Sequence, residues 1–112
     1  MVTEIARTDT EVATNEAVRA AVGVLQSGDV VALPTETVYG LAGDALNEAA
    51  VEKIFAAKDR PHFDPLIVHL PHKDDLRNVA DVPEEISKSV TQLVETFWPG
   101  PLTLVLPRRP VI

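Results

Sequence analysis

Val30-Val31-Ala32-Leu33-Pro34-Thr35-Glu36-Thr37-Val38-Tyr39-Gly40-Leu41 is an apolar run stopped by a proline and followed at once by two hydroxyls, a carboxylate and a phenol. Four apolar residues in a row, three of them aliphatic and bulky, predict a short buried strand over 30–33. Pro34 ends it, because a residue without an N–H cannot donate to a ladder. In α/β proteins ligands bind outside the carboxyl ends of strands, and loops held there by a rigid scaffold carry much of the chemistry. Gly40 and Gly43 flank the next stretch, and Gly43-Asp44-Ala45-Leu46 is expected to begin a short second strand.

On the N-terminal side, residues 1–13 lack a clear period and are expected to form an irregular or strand-like arm. Thr14 and Asn15 are N-cap types with Glu16 in the first turn. Val18, Ala21, Val22 and Leu25 then recur at helical spacing up to the stop signal Ser27-Gly28-Asp29. On the other side, Asn47 caps a helix predicted over 48–58, with Val51, Ile54 and Phe55 as its stripe, ending before Pro61. Leu66-Ile67-Val68-His69-Leu70 reads as a buried strand and Lys73 to Asn78 as one helical turn. Asp81, Pro83 and Glu84 form a start signal for a helix carrying Ile86, Val90, Leu93, Val94 and Phe97. Trp98-Pro99-Gly100-Pro101 is a rigid turn, and Leu102-Thr103-Leu104-Val105-Leu106 a third main strand. Helices alternating with strands predict an α/β fold, a sheet with helices packed on it.

The 112 residues suffice for one domain. A hydrophobic content of 46% excludes a disordered chain, and only 4% aromatics means a core of Val, Leu, Ile and Ala. No apolar run reaches the roughly 18 residues of a membrane span. The N-terminus lacks the basic flank and apolar run of a secretory leader, so the expected location is cytoplasmic, with no membrane partner. With no cysteine, disulfides, Cys-ligated zinc and thiol catalysis are excluded. A net charge of −7 argues against general polyanion coating, yet Lys58 and Arg60 can still create a local positive field.

Two polar clusters carry candidate chemistry, and each has two readings. Thr35, Glu36, Thr37 and Tyr39 serve either as a strand-to-helix connection, with Thr35 as cap and Tyr39 at the rim, or as a loop whose hydroxyls hold a small polar ligand. Lys58 and Arg60 either oppose the negative end of a helix dipole or bind phosphate, Arg as a planar fork and Lys as a point charge. Pro61 and Pro65 stiffen that segment. Asp64 is either a turn residue or an acceptor for a ribose hydroxyl or metal. His69, inside an apolar strand, is by itself more naturally a core residue than a ligand. No grouping has zinc-site spacing, and no phosphate-binding glycine motif is present.

The blocks Leu33–Leu41, Lys58-Asp59-Arg60-Pro61 with Asp64-Pro65-Leu66, and Trp98-Pro99-Gly100-Pro101-Leu102-Thr103 together resemble the YrdC-like family of threonylcarbamoyl-AMP synthases, in its order and spacing. The resemblance treats 1–112 as the N-terminal portion of one YrdC-like domain, best matched over 14–112. It implies a twisted mixed sheet with packed helices around a concave, positively charged cavity. It also implies condensation of L-threonine, bicarbonate and ATP into threonylcarbamoyl-AMP with release of pyrophosphate. Partner proteins then pass the group to an adenosine of tRNA. Thr37 and His69 would bind threonine, with Thr35 and Tyr39 beside Thr37. Lys58, Arg60 and Asp64 would contact ATP, Asp64 at a position often Asn in the family. Mg²⁺ would bridge phosphate oxygens, and no catalytic base is assigned.

Family domains run to about twice this length, so the resemblance implies a first half, with the rest of the nucleotide pocket and some sheet edges left to be completed elsewhere. Two alternatives belong to the same resemblance. One is a double-stranded-RNA-binding module, weakened by the −7 charge. The other is a domain cut from a carbamoyl-transfer hydrogenase maturation protein. Such proteins carry Cys pairs before this domain, and the absent cysteines and initial Met1 argue against that origin.

Overall fold

A computed structural model describes residues 2–59, 61 and 65–112. The chain divides into two compact units, Met1–His62 and Phe63–Ile112, each with a small apolar core of its own. The architecture is mixed α/β.

In the first unit, helix α1 runs over Glu11–Gln26. Its cap is Thr10, whose Oγ1 accepts from the Ala13 N–H at 3.0 Å, so the start expected at Thr14–Asn15 is corrected to one turn earlier. Thr14 lies inside the helix and turns its hydroxyl back onto the Thr10 carbonyl at 2.8 Å, a bond open to a mid-helix threonine as much as to a cap. At the other end, Gly28 takes φ +82°. The Gly28 N–H donates to Leu25 O at 3.0 Å and the Asp29 N–H to Val24 O at 3.2 Å. These are the paired bonds of a Schellman stop, which satisfy carbonyls that the helix leaves over.

Strand β1, Val31–Leu33, pairs antiparallel with strand β2, Gly40–Ala42, in the register Val31↔Ala42, Ala32↔Leu41 and Leu33↔Gly40. The connection over 34–39 is far too short for a parallel crossover, which leaves a hairpin. The expected strand at Gly43–Leu46 and the strand-to-helix connection at Thr35 are both corrected by this pairing. Residues 43–46 turn instead, because Asp44 accepts the Leu46 N–H on Oδ1 at 2.9 Å and the Asn47 N–H on its carbonyl at 3.0 Å.

Helix α2, Glu48–Lys58, has the boundaries the sequence predicts. Asn47 Oδ1 accepts from the Ala49 and Ala50 N–H groups at 3.1 and 3.3 Å. Asp59, left-handed at φ 49°, closes the helix. Ala50, Ile54 and Phe55 are the buried hydrophobic side chains among the described residues of this unit. A Cβ on Gly43 would lie 3.2 Å from Ile54 Cδ1 and 3.4 Å from the Ala50 carbonyl oxygen, so the chain leaving β2 approaches α2 closely. Lys53 Nζ ties α2 to the end of α1 by donating to the Gly28 carbonyl at 3.0 Å, with Asp29 at 3.7 Å.

In the second unit, residues 66–70 are not a strand, and Ile67, Val68 and His69 are exposed. The buried strand expected there is corrected, since among the described residues nothing supplies the ladder partner that an extended run needs. A 3-10 turn at Lys73–Asp75 leads into helix α3, Leu76–Val79. Helix α4, Glu84–Phe97, buries Val90 and Val94. Pro83 occupies its cap position, with ψ 141°, where a helix start was expected to have Pro at the first helical residue. Lys73 Nζ reaches Glu95 Oε2 at 2.7 Å and Arg77 donates to Ser87 Oγ at 3.0 Å, binding the 3-10 turn and α3 to α4.

The Trp98–Pro99 peptide is cis, and Trp98 Nε1 donates to the Leu102 carbonyl at 2.8 Å across the turn. Residues 102–106 keep the two-residue alternation of a strand, with Leu102, Leu104 and Leu106 half-buried and Thr103 and Val105 exposed. They have no ladder, so the third strand is corrected to an extended segment. Pairing begins just beyond it, where the Asp81 N–H donates to Pro107 O and the Arg109 N–H to Val79 O, each at 2.8 Å. Among the described residues no helix is long and apolar enough to cross a membrane.

Two glycines separate space from backbone conformation. A Cβ on Gly23, inside α1, meets nothing within 4 Å, so Gly23→Ala is expected to raise stability by about 0.5–1 kcal/mol. A Cβ on Gly28 would sit 2.9 Å from Asn47 Nδ2 at a positive φ, so Gly28→Ala is expected to cost about 1–2 kcal/mol. Urea denaturation of the two variants reads the opposite signs.

Candidate functional site

Thr35, Thr37 and Tyr39 are brought together by the β1–β2 hairpin. The loop is built on one hydroxyl. Thr35 Oγ1 accepts the Thr37 and Val38 N–H groups, both at 3.2 Å, and donates to the Val38 carbonyl. Thr37 Oγ1 lies 3.3 Å from the same oxygen. This is a hydroxyl turn, in which a threonine side chain replaces the backbone in satisfying the next residues. The whole 34–39 loop is exposed, and Tyr39 extends with 76% of its surface open to solvent.

Lys58 sits in the last turn of α2, in the same unit as that hairpin. It is exposed, and its ammonium has no hydrogen bond or ion pair among the described residues. Its position at a helix C-terminus suits a cation, and a free ammonium there also suits an anionic ligand. Arg60 and Asp64, the other two expected ATP contacts, lie outside the described residues, as does His62.

His69 belongs to the second unit. It is exposed, and its Nδ1 is 3.0 Å from the Ile67 carbonyl. Reading it from the apolar run alone as a core histidine is corrected by that exposure. The run is not a buried strand, and among the described residues nothing encloses the ring.

Two surface grooves lie elsewhere. One, of about 240 Å³, is lined in the second unit by Lys73, Leu76, Arg77, Val90, Val94 and Glu95 among others. Its cations are already engaged by Glu95 and Ser87. The other, of about 440 Å³, lies in the first unit between the N-terminal arm and α1, lined by Glu4, Arg7, Glu16 and four alanines. Neither includes the hairpin threonines, Lys58 or His69. Among the described residues no group of three or more His, Asp or Glu side chains is arranged to hold a metal ion.

Sequence reasoning gave Thr35 either a cap role in a strand-to-helix connection or a place beside Thr37 in the ligand site, and missed that its hydroxyl closes a hairpin loop. The signal was available. A threonine followed two and three residues later by free N–H groups, directly after a proline, is the pattern of a hydroxyl turn.

Residues 23–112 match the model of the Sua5_yciO_yrdC family, described as Telomere recombination. Among curated relatives, the chain is 48% identical over 95 residues to a threonylcarbamoyl-AMP synthase of Pyrococcus abyssi, covering 85% of this chain and 27% of that protein. It is 44% identical over 101 residues to the protein of the same name in Bacillus subtilis, covering 89% of this chain and 28% of the other. A solved structure, that of P. abyssi Sua5 complexed with L-threonine, is similar with a TM-score of 0.76 and 49% identity, over 85% of this chain and 27% of that one. The chain therefore spans about a quarter of the length of these relatives.

Asn47 caps the helix whose last turn carries Lys58. Asn47→Ala removes the acceptor of two helix N–H groups and is expected to lower stability by about 1 kcal/mol. Chemical denaturation checks it. Asn47→Asp, which keeps the oxygen, is expected to stay within a few tenths of the original.

Proposed function

We propose, because this chain belongs to the Sua5_yciO_yrdC family, that it supplies the threonine-binding wall and part of the ATP-binding wall of an L-threonylcarbamoyladenylate synthase. The likeness to a protein solved with L-threonine, extending over 85% of this chain, carries this reading. The relatives' shared name, threonylcarbamoyl-AMP synthase, supports it. In the proposal residues 1–112 act as the N-terminal portion of one domain.

The chemistry has two bond-forming steps. Threonine's amine attacks the carbon of bicarbonate-derived CO₂, losing a proton and giving the carbamate. A carbamate oxygen then attacks the α-phosphorus of ATP as the bond to pyrophosphate breaks. The first step needs the amine placed and oriented. The second needs the leaving charge neutralised. Positioning and electrostatic stabilisation supply most of such catalysis.

The hairpin loop is assigned to threonine through Thr37, with Tyr39 beside it and His69 as a second contact. Lys58 and Arg60 are assigned to the phosphates, as point charge and planar fork, and Asp64 to the nucleotide. Mg²⁺ bound with ATP would neutralise phosphate charge. It is given no protein ligand here, since the described residues offer no cluster for one. The product would pass to threonylcarbamoyl-transfer proteins acting on tRNA, in the cytoplasm. The double-stranded-RNA module and the hydrogenase maturation domain are not favoured, because the relatives bear the synthase name.

Protein produced from the complete gene, given bicarbonate and labelled ATP, is expected to release pyrophosphate only when L-threonine is present. Release independent of threonine contradicts the proposal. Thr37→Ala is expected to weaken threonine binding about tenfold and leave ATP binding unchanged, roughly the loss of one ligand hydrogen bond. Arg60→Ala is expected to do the reverse. Calorimetric titration with each ligand separates the two, and equal losses for both would refute the division of roles.

A further inference from the structure

The two threonines of the hairpin loop have different capacities. A hydroxyl has one proton to donate and two lone pairs to accept with. Thr35 Oγ1 donates its proton to the Val38 carbonyl. Its lone pairs face the Thr37 and Val38 N–H groups, each at 3.2 Å. Nothing is left over for a ligand. Among the described residues the hydrogen-bonding neighbour of Thr37 Oγ1 is Thr35 Oγ1, at 3.3 Å. With the proton and both lone pairs of Thr35 committed, the Thr37 hydroxyl keeps its own proton and lone pairs for a ligand.

We propose that Thr35 is a positioning residue, which holds the loop so that Thr37 alone of the two presents its hydroxyl to the ligand. That hydroxyl can accept from an amino acid's ammonium or hydroxyl, or donate to its carboxylate. This rests on the threonine reading above and sharpens it, since it removes Thr35 from the ligand contacts and leaves Thr37 as the threonine of this loop that meets the ligand. The loop is fully exposed, so between its paired strand ends it is held by this side chain and not by burial.

The test is a double-substitution cycle on protein from the complete gene, read by calorimetric titration with L-threonine. Thr35→Val removes the hydroxyl at nearly constant shape, and Thr35→Ser keeps it. Thr35→Val is expected to weaken binding about three- to tenfold, the scale of one neutral hydrogen bond, with Thr35→Ser near the original. Made on top of Thr37→Val, Thr35→Val is expected to cause no further loss, because residues that act through one another are not additive. Additive losses overturn the proposal, as they assign Thr35 its own ligand contact.

A ligand-free arm uses amide exchange. In Thr35→Val the Thr37 and Val38 N–H groups are expected to exchange faster, while those of α2 keep their rates. Unchanged exchange at both also overturns the proposal. Absence of threonine binding by the unsubstituted protein is a different failure. It overturns the functional reading, and with it the ligand half of the inference.

Discussion

The first unit depends on how closely the chain leaving β2 approaches α2. A Cβ on Gly43 would stand 3.2 Å from Ile54 Cδ1, a distance that only glycine makes comfortable. That approach lets Ala50, Ile54 and Phe55 be buried, and it fixes the base of the hairpin against the helix that ends in Lys58. The loop itself contributes no burial. Its geometry is inherited from the strands at its two ends and from the Thr35 hydroxyl between them. A rigid base with an exposed, internally bonded tip is how a small domain presents polar groups to a ligand without covering them.

Polar ties complete what the apolar core begins. With few aromatics and no side chain of large size fully buried, each unit relies on side chain to backbone bonds at its corners. In the first, Lys53 holds the carbonyl of Gly28 where α1 stops. In the second, Arg109 reaches the Arg77 carbonyl at 2.8 Å while Arg77 holds Ser87. These bonds are local. They set the direction in which the chain leaves each helix more than they set global stability, since a neutral hydrogen bond contributes only about 1 kcal/mol net.

Much of this was legible in the sequence where the signal is local. Asn47 as a cap and Pro61 as a stop bounded α2, Pro34 ended β1, and of the stripe expected for α4 Val90 and Val94 are buried while Ile86, Leu93 and Phe97 are exposed. The start of α1 was not legible, because Thr10 and Thr14 are both good caps and the residues between them carry no apolar period. Strands were harder. Leu66–Leu70 and Leu102–Leu106 have strand composition, but a strand exists only when a partner ladder meets it, and no residue in either run names its partner. At the candidate site, residue types and order pointed to the hairpin loop. The distinct duties of Thr35 and Thr37 emerge only from which oxygen receives which N–H.

The account rests most on the hairpin loop being where an amino acid binds. The direct measurement is an amide chemical-shift map of isotope-labelled protein from the complete gene, titrated with L-threonine and, as a control, with L-valine, which lacks the hydroxyl. The account predicts saturable shifts, for L-threonine above L-valine, centred on the amides of Thr35 to Gly40. Shifts confined to the groove lined by Lys73, Arg77 and Glu95, with the hairpin amides unmoved at saturation, would contradict it.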